Sequence, residues 1–359
     1  MHSHLFRRTV ATTAGALLVL GGTAACAQDG GDGSADDATV GVVAAFYPLQ
    51  FLAERIGGDA VTVTGLAPPG AEPHDLELSP RQVGEVSDAD LVVYLSGFQP
   101  AVDAAVEQEA GDHSFDVVEV EPLLDATDGG HSHDHDGTDE HPEEDGHGSE
   151  EEPGHEDEAD HANEAEHTEE PADDHTDEAD DHADETGAKD PHLWLDPTRF
   201  ATVGDALAER LAAVAPDHAA DFTARAAALR TELEALDTEF AERLADCERR
   251  EIITSHAAFG YLAVRYQLDQ IAITGLSPED EPTPQRLAEV IEEAREHQAT
   301  TIFFETLVSP SVAETIADET GTETAVLDPI EGLQPDADDD YFSVMRNNLN
   351  NLTAALGCS

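Results

Sequence analysis

Histidine is the residue type through which this chain is best placed to do chemistry. The sequence has 359 residues and 18 histidines. Three of them stand out because each lies beside a proline turn or directly after a predicted strand: His74, His192 and His256. A lone loop histidine is usually solvated, whereas three in similar positions can share one ion. Imidazole nitrogen is a ligand that tetrahedral Zn²⁺ accepts at about 2.0–2.2 Å.

A carboxylate near the end of another predicted strand would complete a set of four ligands. It lies in the segment Leu327-Asp328-Pro329-Ile330-Glu331-Gly332. The carboxyl ends of strands in open α/β sheets face the crevice where ligands bind. We therefore expect the three histidines and either Asp328 or Glu331 to meet in one cleft. The residues alone do not separate these two acids.

The elements that would position these side chains alternate between strands and helices in two halves of the chain. This alternation predicts an α/β fold with two lobes, each a mainly parallel sheet flanked by helices. Helices are expected to open at Ser79-Pro80, Thr283-Pro284 and Ser309-Pro310, and the last helix covers residues 341–356. The predicted strands cover residues 40–46, 61–65, 91–95 and 115–120, then 252–254, 270–274, 301–304 and 324–327.

One long helix is predicted between the two halves. Apolar residues recur at steps of three and four from Phe222 to Leu244, which gives a single apolar stripe. Pro216 and Asp217 mark its beginning. At 1.5 Å per residue the helix would be on the order of 40 Å long. We expect a rigid linker helix over residues 216–246, an N-terminal lobe over 39–215 and a C-terminal lobe over 247–359, with the metal site in the cleft between the lobes.

The N-terminus is typical of an export signal. Arg7 and Arg8 precede a short apolar run, and small residues then lead to Cys26. A cysteine in this position resembles a bacterial lipobox, although Thr23 stands where leucine is commonest. We expect a signal over residues 1–26, lipidation of Cys26 and a flexible tether over 27–38, so that the protein is exported and lipid-anchored on the outer face of the cytoplasmic membrane. Plain secretion is the alternative.

Residues 128–187 form a segment of a different character. It is rich in His, Asp and Glu and cannot bury enough apolar surface to offset the entropy of ordering it, so a disordered insert is expected. His-rich tracts are typical of metal binding. Two interpretations stay open, a metal-collecting loop and a solvated acidic loop with incidental affinity. The histidines concerned are His131, His133, His135, His141, His147, His155, His161, His167, His175 and His182.

Charge and cysteine content restrict the partners and the compartment. The formal net charge is −64, which excludes nucleic acid and anionic lipid headgroups as partners because both require a basic surface. If Cys26 is lipidated, Cys247 and Cys358 remain in an oxidising compartment, which favours one disulfide. Ligation of a metal by these two cysteines is the alternative.

An enzyme is the alternative from another functional class, because catalytic zinc is held by three protein ligands and one open position. The chain has no HExxH and no GxSxG motif. A fourth protein ligand would also leave no position for an activated water. We therefore predict a binding protein that is not an enzyme.

Several motifs together resemble one known family. They are AEPHDLELSP, ADLVVYLSG, DPHLWLDP, TSHAAFGYLA, SPEDEPTP, LDPIEGL and YFSVMRNNLNNL. The chain is similar in these motifs to the ZnuA/AdcA-type solute-binding proteins, which deliver zinc or manganese to ABC permeases. The resemblance covers residues 40–356 apart from the insert. It implies ligands at His74, His192 and His256, two lobes bridged by one helix, little hinge motion, and a paired Cys247 and Cys358.

The same resemblance bears on the fourth ligand, the ion and the partners. Members have an Asp at the place of Asp328, a Glu at the place of Glu331, or a water. Manganese-type relatives have Glu where this chain has His256, and three imidazoles favour Zn²⁺ over Mn²⁺. We therefore expect a monomeric zinc-binding component that serves an ABC permease and its ATPase. Another divalent-metal binding protein, an adhesin, or a zinc-storage protein without a permease are the alternatives.

Overall fold

The computed structural model describes residues 39–126, 188–335 and 338–359. The predicted signal, Cys26, the tether and the ten histidines of the insert lie outside these residues, so the predictions made for them stay predictions. No helix in the described ranges combines the length and apolarity that crossing a bilayer requires.

The first lobe is built on a parallel sheet whose strand order is β2-β1-β3-β4. The strand β1 lies inside the sheet, where Val42 is paired with Val63 on one side and Leu91 on the other. Because helices cover both faces, β1 and β3 are apolar along their whole length. The strands are β1 Val40–Ala44, β2 Val61–Gly65, β3 Leu91–Tyr94 and β4 Ser114–Asp116, and the helices between them are α1 Tyr47–Gly57, α2 Pro80–Asp88 and α3 Pro100–Glu109.

The strand predicted over residues 115–120 is shorter than expected. It ends at Asp116 and continues as a 3₁₀ turn, Val117–Glu119. The Asp116 carboxylate accepts hydrogen bonds from the backbone amides of Ser96 and Val118, both at 3.1 Å. An aspartate that bonds to the amide two residues ahead favours a turn over a strand.

The second lobe repeats this arrangement with the strand order β6-β5-β7-β8. In both sheets the first strand of the lobe is internal. The second strand lies on one side of it and the later strands on the other, so the strand order reverses beside the first strand. In such sheets the carboxyl ends of the strands at this switch point border the ligand crevice. The strands are β5 Glu251–Thr254, β6 Asp269–Ala272, β7 Thr301–Phe304 and β8 Glu323–Val326, and α6 Gly260–Tyr266, α7 Pro284–Glu296, α8 Ser311–Thr320 and α9 Tyr341–Leu356 are the helices.

Two consecutive helices follow the sheet of the first lobe, and the second of them leads into the second lobe. The first, α4 Pro197–Val214, is not predicted from the sequence and is capped by Asp196. The second, α5 Ala219–Arg243, has 25 residues and is therefore about 37 Å long. Its apolar stripe is buried as the residue spacing predicts.

Helix α5 contacts both lobes. Arg225 near its beginning donates to the Gly57 carbonyl of α1 at 3.1 Å. Glu239 near its end accepts from Arg346 of α9 at 3.0 Å. The helix is thus fastened to each lobe by side chains as well as by the chain itself.

Helix α9 forms a second link between the lobes, beyond the single linker helix that the sequence predicts. The helix follows the last strand of the second lobe. Tyr341 at its beginning nevertheless donates a hydrogen bond to the Trp194 carbonyl of the first lobe at 2.7 Å. The Tyr341 ring also stacks on Phe51 of α1 with centroids 5.5 Å apart.

A disulfide joins Cys247 and Cys358, which are 111 residues apart in sequence. Cys247 comes four residues after the end of α5 and Cys358 two residues after the end of α9. The bridge therefore ties the end of the chain to the beginning of the second lobe.

Replacing both cysteines with serine should lower the free energy of unfolding by about 2–5 kcal/mol, because the bridge closes a long loop in the unfolded chain. Urea denaturation of the two proteins, each with and without reductant, measures the difference. The reductant should shift only the protein that retains its cysteines. Coincident denaturation curves for the oxidised wild type and the variant would contradict this expectation.

Candidate metal centre

His256 is held where the chain leaves the central strand of the second lobe. Strand β5 ends at Thr254, two residues earlier. The hydroxyl of Thr254 and the side-chain amide of Gln270 both donate to the His256 carbonyl, at 2.8 and 3.0 Å. The ring Nδ1 lies 2.6 Å from Oε1 of Glu305. Both side chains are buried.

His192 belongs to the first lobe and precedes the 3₁₀ turn Leu193–Leu195. The carboxylate of Asp190 accepts from the His192 backbone amide at 2.9 Å and lies 2.7 Å from its ring Nδ1. Trp194, two residues later, donates from its indole Nε1 to the Pro329 carbonyl of the second lobe at 2.7 Å. This contact fixes the His192 turn against the loop that follows β8.

His74 lies in the loop between β2 and α2. Its backbone amide donates to Glu72 at 3.0 Å, and its ring meets Phe98 edge-on with centroids 4.6 Å apart. The loop is tied to the second lobe, because the Gly70 amide donates to the Leu333 carbonyl at 2.8 Å. The His74 side chain is 11% exposed, whereas that of His192 is 0% exposed, so the site is least shielded at His74.

Glu331 is the residue on which the three rings converge. Its Oε1 lies 3.3 Å from Nε2 of His74, 2.9 Å from Nε2 of His192 and 3.2 Å from Nε2 of His256. The four ligand atoms all lie within 4.8 Å of one another. Ile330 has a φ of +61°, a left-handed conformation that is rare for a β-branched residue. The turn at Ile330 directs Glu331 into the cleft.

Asp328, the other candidate for the fourth ligand, is not part of this group. One of its carboxylate oxygens accepts from the Thr306 hydroxyl and the other from the Ile330 amide. Its backbone amide and carbonyl pair with the side chain of Asn348 at 2.9 and 2.7 Å. Asp328 therefore shapes the turn that presents Glu331, and its oxygens are already engaged.

The electrostatics of the site follow from burial and from charge pairing. Burial acts to lower the pKa of His256 and of His192, but the carboxylates of Glu305, Asp190 and Glu331 outweigh it and raise both above the ordinary value. For His74 burial prevails, and its pKa is lowered. Burial acts to raise the pKa of Glu331, yet the three imidazoles hold it well below its ordinary value.

A carboxylate oxygen of Glu331 lacks a partner in the cleft. Oε2 of Glu331 is buried without a hydrogen bond. Buried polar atoms are rarely left unpaired unless an ion or water serves them. Imidazole nitrogen with a carboxylate oxygen is a donor set that suits a divalent transition metal. Among the described residues this is the only group of three or more such side chains arranged to hold an ion.

Two residues of the site are absent from the predictions made from sequence. Glu305 directly follows β7, so it occupies the strand-end position that identified the other candidates. Asp190 lies two residues before His192 in the DPH motif. Both carboxylates contact Nδ1 of a histidine ring, whereas Nε2 of the same ring faces Glu331. A sequence pattern that looks only for metal ligands therefore does not identify them.

The sequence of this chain is similar to known proteins of one family. The model of the family described as "Zinc-uptake complex component A periplasmic", ZnuA, matches residues 42–355. The high-affinity zinc uptake system protein ZnuA of Bacillus subtilis is 31% identical over 338 residues, which cover 93% of both chains.

Two further comparisons involve Streptococcus pneumoniae. Its zinc-binding lipoprotein AdcA is 34% identical over 316 residues, covering 87% of this chain and 55% of the relative, so the chain spans about half the length of that protein. The crystal structure of the Zn(II)-bound ZnuA-like domain of AdcA superposes with a TM-score of 0.64 at 28% identity and covers 89% of this chain and 99% of the domain. With a family match that spans nearly all of both lobes, this chain belongs to the ZnuA family.

Proposed function

We propose that this protein is the extracytoplasmic zinc-binding component of an ABC-type importer. It captures Zn²⁺ and delivers it to a membrane permease and its ATPase. The observation that carries the proposal is the convergence of three imidazoles on Glu331 in a buried cleft, in a chain of the ZnuA family. The names of its relatives, a zinc uptake protein and a zinc-binding lipoprotein, support the same cargo.

The proposed ligands are His74, His192, His256 and Glu331. Three nitrogen donors and one oxygen donor match the tetrahedral preference of zinc, whereas manganese favours oxygen-rich sites. Four protein ligands also close the coordination shell, which suits binding and release of an ion better than catalysis at an open position. The sequence leaves the fourth ligand open between Asp328 and Glu331, and we assign it to Glu331.

The export signal and the lipid anchor at Cys26 are part of the same proposal. A lipid-anchored relative supports them. Anchoring would keep the loaded protein close to the permease, so that delivery does not depend on diffusion through the surroundings.

The insert is proposed to collect metal for the cleft. The residues that flank it form a short antiparallel stem, in which the Ala126 amide donates to the Ala188 carbonyl at 3.0 Å and Asp125 pairs with Lys189. Asp190, which contacts His192, follows directly. Ions held weakly on the insert would therefore be released at a high local concentration near the tight site.

Removing any one of the four proposed ligands should weaken zinc binding by more than about 100-fold, because changing a residue that only supports a ligand already costs roughly 10- to 100-fold. The variants are His74→Ala, His192→Ala, His256→Ala and Glu331→Gln. Each variant loses a donor from the shell. Competition with a chromophoric chelator measures the affinity.

Asp328→Asn is the matched control for Glu331→Gln, because Asp328 is a buried acid on the same turn that lies outside the group. It should weaken binding much less. A larger loss in Asp328→Asn than in Glu331→Gln would contradict the ligand set, and a wild type that binds zinc only weakly would favour a storage protein.

Zinc affinity should fall as the pH is lowered from about 8 to about 5, since imidazole must be deprotonated to bind a metal. The raised pKa values of His192 and His256 mean that these rings hold protons to higher pH than usual in the ion-free protein. Binding near neutral pH should therefore release protons. Calorimetry in buffers of different ionisation enthalpy measures this release, and a binding enthalpy independent of the buffer would contradict it.

Replacing residues 127–187 with an Asn-Gly turn should leave the affinity of the cleft site unchanged and slow zinc uptake by cells under scarcity. The paired residues Ala126 and Ala188 can be joined by a two-residue hairpin turn without moving the stem. A full-length variant with the ten insert histidines changed to asparagine is the control that keeps length and acidity. Equal uptake by the wild type and both variants would overturn the collecting role.

A further inference from the structure

We infer that Glu305 is a positioning residue that fixes the His256 ring for metal binding. The inference rests on the proposed function and extends it to a residue outside the set of ligands. Three features of the structure carry it: the place of Glu305 in the sheet, its contact with the ring, and the way in which the His256 backbone is held.

Glu305 and His256 lie on the two sides of the switch point in the second sheet. Strands β5 and β7 are adjacent there, with Ile253 paired with Ile302. His256 follows β5 and Glu305 follows β7, so neighbouring parallel strands deliver both side chains to the same edge. The alignment is thus built into the sheet and does not depend on a long loop.

The contact sets the tautomer of the ring. A carboxylate at Nδ1 accepts a hydrogen bond, so the ring proton resides on Nδ1, 2.6 Å from Oε1 of Glu305. In the neutral ring the Nε2 lone pair is then free to face the cleft. A carboxylate partner on a metal-binding histidine fixes ring orientation and raises the basicity of the donor nitrogen.

The His256 backbone is held separately from its ring, whose Nδ1 contacts Glu305 and whose Nε2 contacts Glu331. Thr254 and Gln270 bind the His256 carbonyl, which fixes the main chain but not rotation about the side-chain bonds. Glu305 is 3% exposed, so water does not compete strongly for its hydrogen bond. Loss of this contact would leave the ring with its Nε2 contact to Glu331 alone, while the backbone stayed in place.

The three histidines differ in this respect, which makes Glu305 the better residue to test. Asp190 contacts the His192 ring but also accepts from the His192 backbone amide, so its removal would disturb the main chain as well. The His74 ring packs on Phe98 and faces Glu331. A change at Glu305 acts on His256 through the ring.

The experiment compares Glu305→Gln and Glu305→Ala with the wild type in the full-length protein. The Gln amide oxygen can still accept from Nδ1, whereas Ala removes the contact. We expect zinc affinity to fall about 10-fold for Gln and about 100-fold for Ala, within the range known for such partners. Glu323→Gln, an exposed glutamate on β8, is the control and should bind like the wild type.

Two further readouts separate positioning from a merely structural role. The visible spectrum of bound Co²⁺ should keep its wild-type shape in Glu305→Gln and change in Glu305→Ala. The thermal midpoint of ion-free Glu305→Gln should match that of the wild type. A fall in affinity that parallels a fall in the ion-free midpoint would overturn the inference.

The remaining outcomes also decide the question. Wild-type affinity in Glu305→Ala, or equal losses in the two variants, would overturn positioning, and equal losses would assign the effect to charge. If the wild type bound no zinc, or if His256→Ala bound as well as the wild type, the proposed function itself would fail. That result is distinct from a failure confined to Glu305.

Discussion

The structure depends on one buried carboxylate oxygen that three imidazole nitrogens approach from two lobes. Glu331 and the rings of His192 and His256 are almost fully shielded from water. Burying charged groups is costly unless each has a partner. The fold satisfies this constraint by surrounding Glu331 with nitrogen donors and by placing further carboxylates behind two of them. A divalent cation among these groups would balance the charge of the carboxylates.

The lobes are joined so that this convergence persists. Besides the linker helix, the first-lobe residue Trp194 donates to Pro329 and accepts from Tyr341, both of the second lobe. The Gly70 amide adds a hydrogen bond across the cleft. A hinge that opened widely would have to break these contacts together. The small hinge motion that the family resemblance implies stays a prediction, and His74 is the least shielded of the three histidines.

Much of the fold could be predicted from the sequence, because its signals are local. The bounds of β2, β7 and α9 agree with the structure, as does the buried stripe of α5. The choice between Asp328 and Glu331 could not be predicted, since it depends on the left-handed conformation of Ile330, which a β-branched residue does not signal. Helix α4 was missed because its Asp196-Pro197 start signal lies inside the motif that carries His192. Glu305 was missed because its role depends on the pairing of β5 with β7.

The paired stem at Ala126 and Ala188 has a consequence for how the chain can vary. Ala126 and Ala188, which flank positions 127–187, meet in one backbone hydrogen bond, so the two points at which that stretch joins the lobe lie side by side. A folded domain whose own termini lie close together could therefore take the place of positions 127–187 without moving the stem.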